Sequence, residues 1–108
     1  MPHVDVAGLH CHVGSEVFDE DVFERAADVM VDFMAHLRDE LDYIAPELDL
    51  GGGYGVRYVD SDPAVDIPAR IAAVAAHLKD RLTHANLPMP RVLMEPGRSI
   101  VADAGMTV

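Results

Sequence analysis

The sequence is poor in cysteine, in lysine and in long apolar runs. Its single cysteine, Cys11, excludes a disulfide framework and is typical of a reducing compartment, so a cytoplasmic protein is expected. No apolar run approaches the roughly 20 residues that a membrane span needs, and no secretory signal pattern opens the chain. Lys and Arg number 8 against 19 Asp and Glu, and the net charge of −11 disfavours nucleic acids and anionic membranes as partners.

The 108 residues are half hydrophobic, which is enough for one domain with a sizeable core. The Val-rich run Val4–Leu9 predicts a buried strand, and Leu48–Leu50 and Val92–Met94 predict two more. Helical periodicity fills the intervals between them. The first predicted helix follows a candidate N-cap at Asp19, and its apolar positions are Phe23, Ala27, Met30, Met34, Leu37 and Leu41.

The second predicted helix has clear end signals. It follows a polar loop at Asp60–Pro63, with Asp66 as a candidate N-cap and Pro68 in the first turn. Asn86 suits a left-handed residue after the helix. Strands that alternate with helices of this length predict an α/β fold with parallel strands and right-handed crossovers. The apolar stripe of this helix is Ile71, Val74, Ala75, Leu78 and Leu82.

Unusual residues follow each predicted strand, in the runs His10–Ser15, Gly51–Gly55 and Glu95–Arg98. Because the carboxyl ends of parallel strands lie at one edge of a sheet, where α/β folds bind their ligands, we expect a single ligand site there. Cys11 lies between two histidines but points away from them on an extended chain. It is therefore expected to be a small buried residue and not a nucleophile.

Each run alone has more than one interpretation. His10 and His12 point the same way on an extended chain and suit a zinc pair, an imidazole on an aromatic cofactor ring, or a structural role. A structural role is favoured for His10, and metal binding is disfavoured because no third or fourth ligand is evident. Gly51–Gly53 indicates a tight turn or a phosphate site. Glu95 with Arg98 indicates an exposed ion pair, or a carboxylate for a protonated heteroaromatic nitrogen beside a cation.

Together, the strings Gly8–Ser15, Leu48–Val56 and Glu95–Ala102 resemble the fold-type III pyridoxal-phosphate decarboxylases in order and separation. The His-Cys-His form and the Gly-Tyr-Gly-Val continuation are more similar to the diaminopimelate branch than to the ornithine branch. The resemblance implies pyridoxal 5'-phosphate as cofactor and decarboxylation of meso-diaminopimelate to L-lysine, by a cytoplasmic homodimer with shared active sites. The alternatives are an ornithine- or arginine-type decarboxylase, or a metal-dependent barrel hydrolase that uses His10 and His12.

The same resemblance implies roles for individual residues. His12 would stack on the pyridine ring, and Glu95 would pair with the pyridine nitrogen and keep it protonated. Arg98 would contact the phosphate or a substrate carboxylate. The phosphate would be held by Ser15, Gly51, Gly52, Gly53 and the backbone around Gly97.

The fold that the family implies is a (β/α)8 barrel, and residues 1–108 are expected to be an internal fragment of it. The fragment would contain three consecutive late strands and two crossover helices, whereas a whole barrel needs about 250 residues. The family also uses a lysine on an early strand to attach the cofactor covalently. The single lysine here, Lys79, lies in mid-helix. The fragment alone is therefore expected to be inactive.

Overall fold

The computed structural model describes residues 2–15, 18–19, 21–55, 57, 60–61 and 64–106. Val56 of the second string, together with Asp62 and Pro63 of the predicted loop, lies outside the described residues. Strands and helices alternate along the chain. In order they are β1 (Gly8–His10), α1 (Asp21–Leu41), β2 (Glu47–Asp49), α2 (Ile67–His84), β3 (Arg91–Leu93), α3 (Gly97–Val101) and a 3-10 turn (Ala102–Ala104).

The strands form one parallel sheet in the order β1, β2, β3. His10 pairs with Asp49 across β1 and β2, and Asp49 pairs with Leu93 across β2 and β3. The helices α1 and α2 each connect one strand to the next parallel strand, as a crossover must. The predicted α/β fold with three parallel strands and two crossover helices is confirmed, and the three strands end at the same edge of the sheet.

The strand boundaries differ from those predicted. β1 begins later than the predicted strand Val4–Leu9, and Val4 is 53% exposed. In this register Ala7 faces Pro46, which has no N–H with which to extend the ladder. β2 and β3 each begin one residue earlier than predicted because the Arg91 N–H donates to the Pro46 carbonyl at 2.9 Å and starts their pairing there.

The helix α1 presents one apolar face to the sheet. The Oδ1 of Asp19, the predicted N-cap, accepts the backbone N–H of Asp21, the first residue of the helix, at 3.0 Å. The predicted apolar face is wrong at Leu41, which is 69% exposed. A helix of this length extends about 31 Å and a three-residue strand about 10 Å, so the last turn of α1 projects beyond the sheet. The buried residues of α1 are Phe23, Ala27, Met30, Val31 and Met34.

The helix α2 begins and ends as its sequence signals predict. The Asp66 carboxylate accepts the backbone N–H of Ala69 at 3.0 Å, and Asn86 has a φ of 55°. The predicted stripe is wrong at Ala75, which is exposed. Successive residues of a helix lie about 100° apart, so Ala75 faces away from the side on which Val74 is buried. The buried residues of α2 are Val74, Leu78 and Leu82.

The core lies between the sheet and the two long helices. Leu48, in the middle of β2, is fully buried, and the rings of Phe23 and Tyr54 stack with centroids 4.2 Å apart. A polar contact joins the helices at the side: the Asp28 carboxylate lies 2.6 Å from His77 Nε2. Within the described part of the chain, no helix combines the length and the apolar character that crossing a membrane requires.

We expect the 108-residue chain by itself to self-associate. Within the described residues β1 and β3 are edge strands, and large apolar side chains such as Phe33 and Ile100 are exposed. Sedimentation velocity over a series of protein concentrations should therefore detect species larger than the monomer. A single monomeric species at every concentration would contradict the expectation.

The Leu48→Ala substitution should lower the free energy of unfolding by about 2–5 kcal/mol, because it removes a fully buried side chain from the centre of the core. The matched control is Leu41→Ala, where the same change falls on a mostly exposed side chain and should have little effect. Denaturant unfolding at one fixed protein concentration compares the two. Equal losses of stability would mean that the core is not centred on β2.

Candidate ligand site at the carboxyl ends of the strands

The loops that follow the three strands contact one another through the glycine run. A Cβ atom on Gly52 would overlap the carbonyl oxygen of Glu95, and a Cβ atom on Gly53 would overlap that of Gly14. Gly51 and Gly53 also have positive φ values of 68° and 95°, which disfavour other residues. The glycines therefore allow the loops after β1 and β3 to approach the loop after β2.

Backbone hydrogen bonds hold these loops together beyond the strands. The Cys11 N–H donates to the Asp49 carbonyl at 3.0 Å, which joins the β1 loop to β2. The Glu95 N–H donates to the Gly51 carbonyl at 2.7 Å, which joins the β3 loop to the glycine run. The positions of the side chains at this edge are thus fixed by main-chain contacts.

Three polar side chains gather at the edge, one from the end of each strand. His10, Asp49 and Glu95 each contribute one nitrogen or oxygen atom, and these atoms lie within 4.8 Å of one another. His10 Nε2 lies 3.3 Å from Glu95 Oε1, with both side chains more than half exposed. The Gly51 N–H donates to Asp49 Oδ1 at 2.8 Å. The group is therefore accessible to a ligand and anchored from the backbone.

The carboxyl groups of Asp49 and Glu95 have oxygen atoms within 4.8 Å of each other, so each affects the acidity of the other. Hydrogen bonding to Asp49, together with the negative charge of Asp49, raises the pKa of Glu95. Hydrogen bonding to Glu95 lowers the pKa of Asp49, and the Gly51 N–H assists. Of the two carboxyls, Glu95 is thus the one that retains a proton as the pH rises.

The two histidines point to the same side of the chain, as predicted from their spacing, and this side faces Glu95. A positive charge on either imidazole opposes the rise in the pKa of Glu95. His12 is exposed, and its Nδ1 accepts the Gly52 N–H at 3.4 Å. Cys11 faces the other way and packs against the core, and burial raises the pKa of its thiol. Cys11 is therefore not activated as a nucleophile, which agrees with the sequence prediction.

Polar groups from the first and third loops meet on a second part of the edge. One guanidinium nitrogen of Arg98, at the start of α3, donates to Ser15 Oγ at 2.9 Å. Ser15 and Arg98 are both exposed. A Cβ atom on Gly97 would meet nothing within 4 Å, so the backbone beside Arg98 borders open space. This pair offers a hydroxyl and a cation to an anionic group.

The structure thus brings the predicted candidates to one edge, and it adds Asp49. From the sequence, Asp49 is predicted only to lie in a strand, with no part in the site. The available signal was an acidic residue between two leucines, immediately before the glycine run. Its partners depend on the register of β1, β2 and β3, which the sequence does not reveal.

Parallel strands joined by crossover helices, with polar loops at the carboxyl edge, define an α/β fold of the class that binds its ligands at that edge. The chain belongs to the pyridoxal-dependent decarboxylase family. Residues 1–102 match the family model described as the pyridoxal binding domain of pyridoxal-dependent decarboxylases.

Individual relatives agree with the family match. The chain is 36% identical over 105 residues to the diaminopimelate decarboxylase of Bacillus methanolicus, covering 97% of this chain and 24% of that protein. It is 41% identical over 110 residues to the diaminopimelate decarboxylase of Corynebacterium efficiens, covering 98% and 23%. The crystal structure of M. jannaschii diaminopimelate decarboxylase with L-lysine matches with a TM-score of 0.68 at 30% identity, covering 87% and 21%.

The chain therefore spans about a quarter of the length of the curated relatives that it matches. Residues 1–102 of it lie within the matched domain.

The Gly52→Ala substitution should destabilise the protein by about 1–3 kcal/mol, because the added methyl group would force the β3 loop away from the glycine run. Gly105→Ala is the matched control, since a Cβ atom there meets nothing within 4 Å. Thermal unfolding of the two variants measures the difference. A Gly52→Ala variant as stable as the control would show that the loops are not in close contact.

Proposed function

We propose that the protein carrying this chain is a pyridoxal-phosphate-dependent decarboxylase that converts meso-diaminopimelate to L-lysine. Residues 1–108 would supply part of its barrel domain, with the cofactor-binding loops of three late strands. Membership of the pyridoxal-dependent decarboxylase family supports the cofactor, and the diaminopimelate decarboxylases among the relatives support the substrate. The gathering of polar groups from all three strand ends at one accessible edge is the structural observation that carries the proposal.

The residues at this edge fit the chemical groups of pyridoxal phosphate. Glu95 offers a carboxyl group for the pyridine nitrogen, and the exposed imidazole of His12 offers a flat surface for the ring. Ser15 and Arg98 offer a hydroxyl and a guanidinium to the phosphate, beside the open space at Gly97. The amides of Gly51 and Gly52 already donate to protein side chains, so those two glycines would serve the phosphate chiefly by letting the loops approach.

Pyridoxal phosphate, when bound, supplies a sink for the electron pair that remains after carbon dioxide leaves the substrate. Glu95 would hold a proton at the pyridine nitrogen, since a carboxylate there stabilises the positively charged ring. His12 would orient the ring through its face, and Arg98 would hold the phosphate or a substrate carboxylate. These roles were predicted from the family resemblance and remain proposals for the individual residues.

The lysine that attaches the cofactor would come from elsewhere in the protein. The single lysine of this chain, Lys79, is exposed in the middle of α2, where its carbonyl accepts the Thr83 hydroxyl. A cytoplasmic homodimer with shared active sites, binding a small amino-acid substrate, is proposed on the family resemblance.

The alternatives differ in what they require of the two histidines. A metal-dependent hydrolase using His10 and His12 would need both imidazoles at one ion, but His12 Nδ1 is directed to the Gly52 amide while His10 lies beside Glu95. An ornithine- or arginine-type decarboxylase would bind the cofactor with the same protein groups. The diaminopimelate decarboxylases among the relatives favour meso-diaminopimelate as the substrate over ornithine or arginine.

The Glu95→Ala substitution tests the proposal. In the full-length enzyme it should reduce kcat for meso-diaminopimelate by about 10²–10³-fold, because one charged group that stabilises the reacting ring is lost. Part of the cofactor should remain bound through the phosphate, which the visible absorbance of the protein would report.

Glu40→Ala, on the exposed side of α1, is the matched control and should retain normal turnover. The 108-residue chain alone should form no lysine, because its single lysine lies away from the site. Unchanged turnover in the Glu95→Ala enzyme would remove Glu95 from the reaction. Turnover that is abolished by a chelator and is independent of pyridoxal phosphate would favour the hydrolase alternative.

A further inference from the structure

We propose that Asp49 is a positioning residue, which holds the Glu95 carboxyl group in place for the pyridine nitrogen of the cofactor. The inference rests on the proposed function and deepens it. It assigns a role to a residue that neither the sequence motifs nor the family resemblance singled out. Asp49 would act through Glu95 and would not contact the reacting atoms.

The sheet register places the two carboxyl groups on the same face. His10 and Asp49 are paired across β1 and β2, and paired residues of neighbouring strands point to the same side of a sheet. Glu95 lies two residues after Leu93, the partner of Asp49 on β3. Since side chains alternate with a period of two, Glu95 points to that side as well.

One glycine fixes both carboxylic residues. The Gly51 N–H donates to Asp49 Oδ1 at 2.8 Å, and the Gly51 carbonyl accepts the Glu95 N–H at 2.7 Å. The side chain of Asp49 and the backbone of Glu95 are therefore held to the same peptide unit. His10 Nε2, 3.3 Å from Glu95 Oε1, restricts the Glu95 side chain from the β1 side.

The charges around Glu95 determine where the proton lies. The titratable groups that face Glu95 are Asp49 on β2, and His10 and His12 at the end of β1. Arg98 follows Glu95 along the chain. The hydrogen bond with Asp49 and its negative charge raise the pKa of Glu95, and the pKa of Asp49 falls. As the pH falls, the pair therefore takes up its first proton at Glu95 and not at Asp49.

This arrangement would place the charges of two carboxyl groups near the pyridine nitrogen when the cofactor binds. Glu95 would face the nitrogen, and the neighbouring Asp49 would add its negative charge. Their combined charge favours the protonated nitrogen more strongly than Glu95 alone would.

The test uses the Asp49→Asn variant of the full-length enzyme. The amide oxygen of Asn can still accept the Gly51 N–H, so the anchor is retained while the charge is lost. Asp39→Asn, on the exposed part of α1, makes the same charge change away from the site and is the matched control. Carbon-13 NMR of carboxyl-labelled, cofactor-free enzyme reports the titration of Glu95, identified by its loss in Glu95→Gln.

Glu95 should titrate above the usual range for glutamate in the wild type and in Asp39→Asn, and at lower pH in Asp49→Asn. A Glu95 midpoint that is normal in the wild type, or unmoved by Asp49→Asn, would overturn the inference. If Asp49→Asn fails to fold, the Glu95→Ala enzyme gives the reciprocal test, because alanine removes the hydrogen-bonding partner of Asp49. There the Asp49 midpoint should rise, and an unmoved midpoint would overturn the inference.

A second readout follows the cofactor itself. With pyridoxal phosphate labelled with nitrogen-15 in its ring, the wild-type enzyme should keep the ring nitrogen protonated to higher pH than Asp49→Asn does. Equal protonation in both enzymes would contradict the inference. A wild type that binds no pyridoxal phosphate would refute the proposed function alone, because the cofactor-free titration would still decide whether Asp49 controls Glu95.

Discussion

The three strand-end loops can meet only because the middle loop has no Cβ atoms at Gly51, Gly52 and Gly53. The carbonyl groups of Cys11, Glu95 and Gly14 occupy the space that side chains would need. The polar groups of the site are carried by these loops, by the strand ends before them and, for Arg98, by the start of α3. The glycine run thus acts first on the packing of the protein, and the gathering of histidine, carboxyl, hydroxyl and guanidinium groups follows from it.

The charges of the site are also set by this packing. Asp49 and Glu95 come close because their strands are neighbours in the sheet and both residues are bonded to Gly51. Each of two carboxyl groups this close makes the other harder to ionise, and here the pKa of Glu95 is the one that is raised. The fold therefore offers a ligand at this edge a carboxyl group that binds a proton more tightly than an isolated glutamate does.

The sequence predicted the elements and the convergence of the site more accurately than its inner contacts. The caps at Asp19 and Asp66 were predictable because capping depends on neighbouring residues alone. The ends of the strands were not predictable, because the pairing that is lost opposite Pro46 depends on the register of β1 and β2. The exposure of Leu41 reflects the unequal lengths of helix and strand. Asp49 was missed for the same reason as the strand ends: its partners lie on other strands.

The central claim is that these three loops surround one molecule of pyridoxal phosphate. The most direct measurement is a crystal structure of the full-length enzyme with the cofactor bound. The account predicts the pyridine nitrogen within hydrogen-bonding distance of Glu95, the ring against His12, and the phosphate beside Ser15, Gly97 and Arg98. A cofactor bound away from these loops, or a pyridine nitrogen turned away from Glu95, would contradict it.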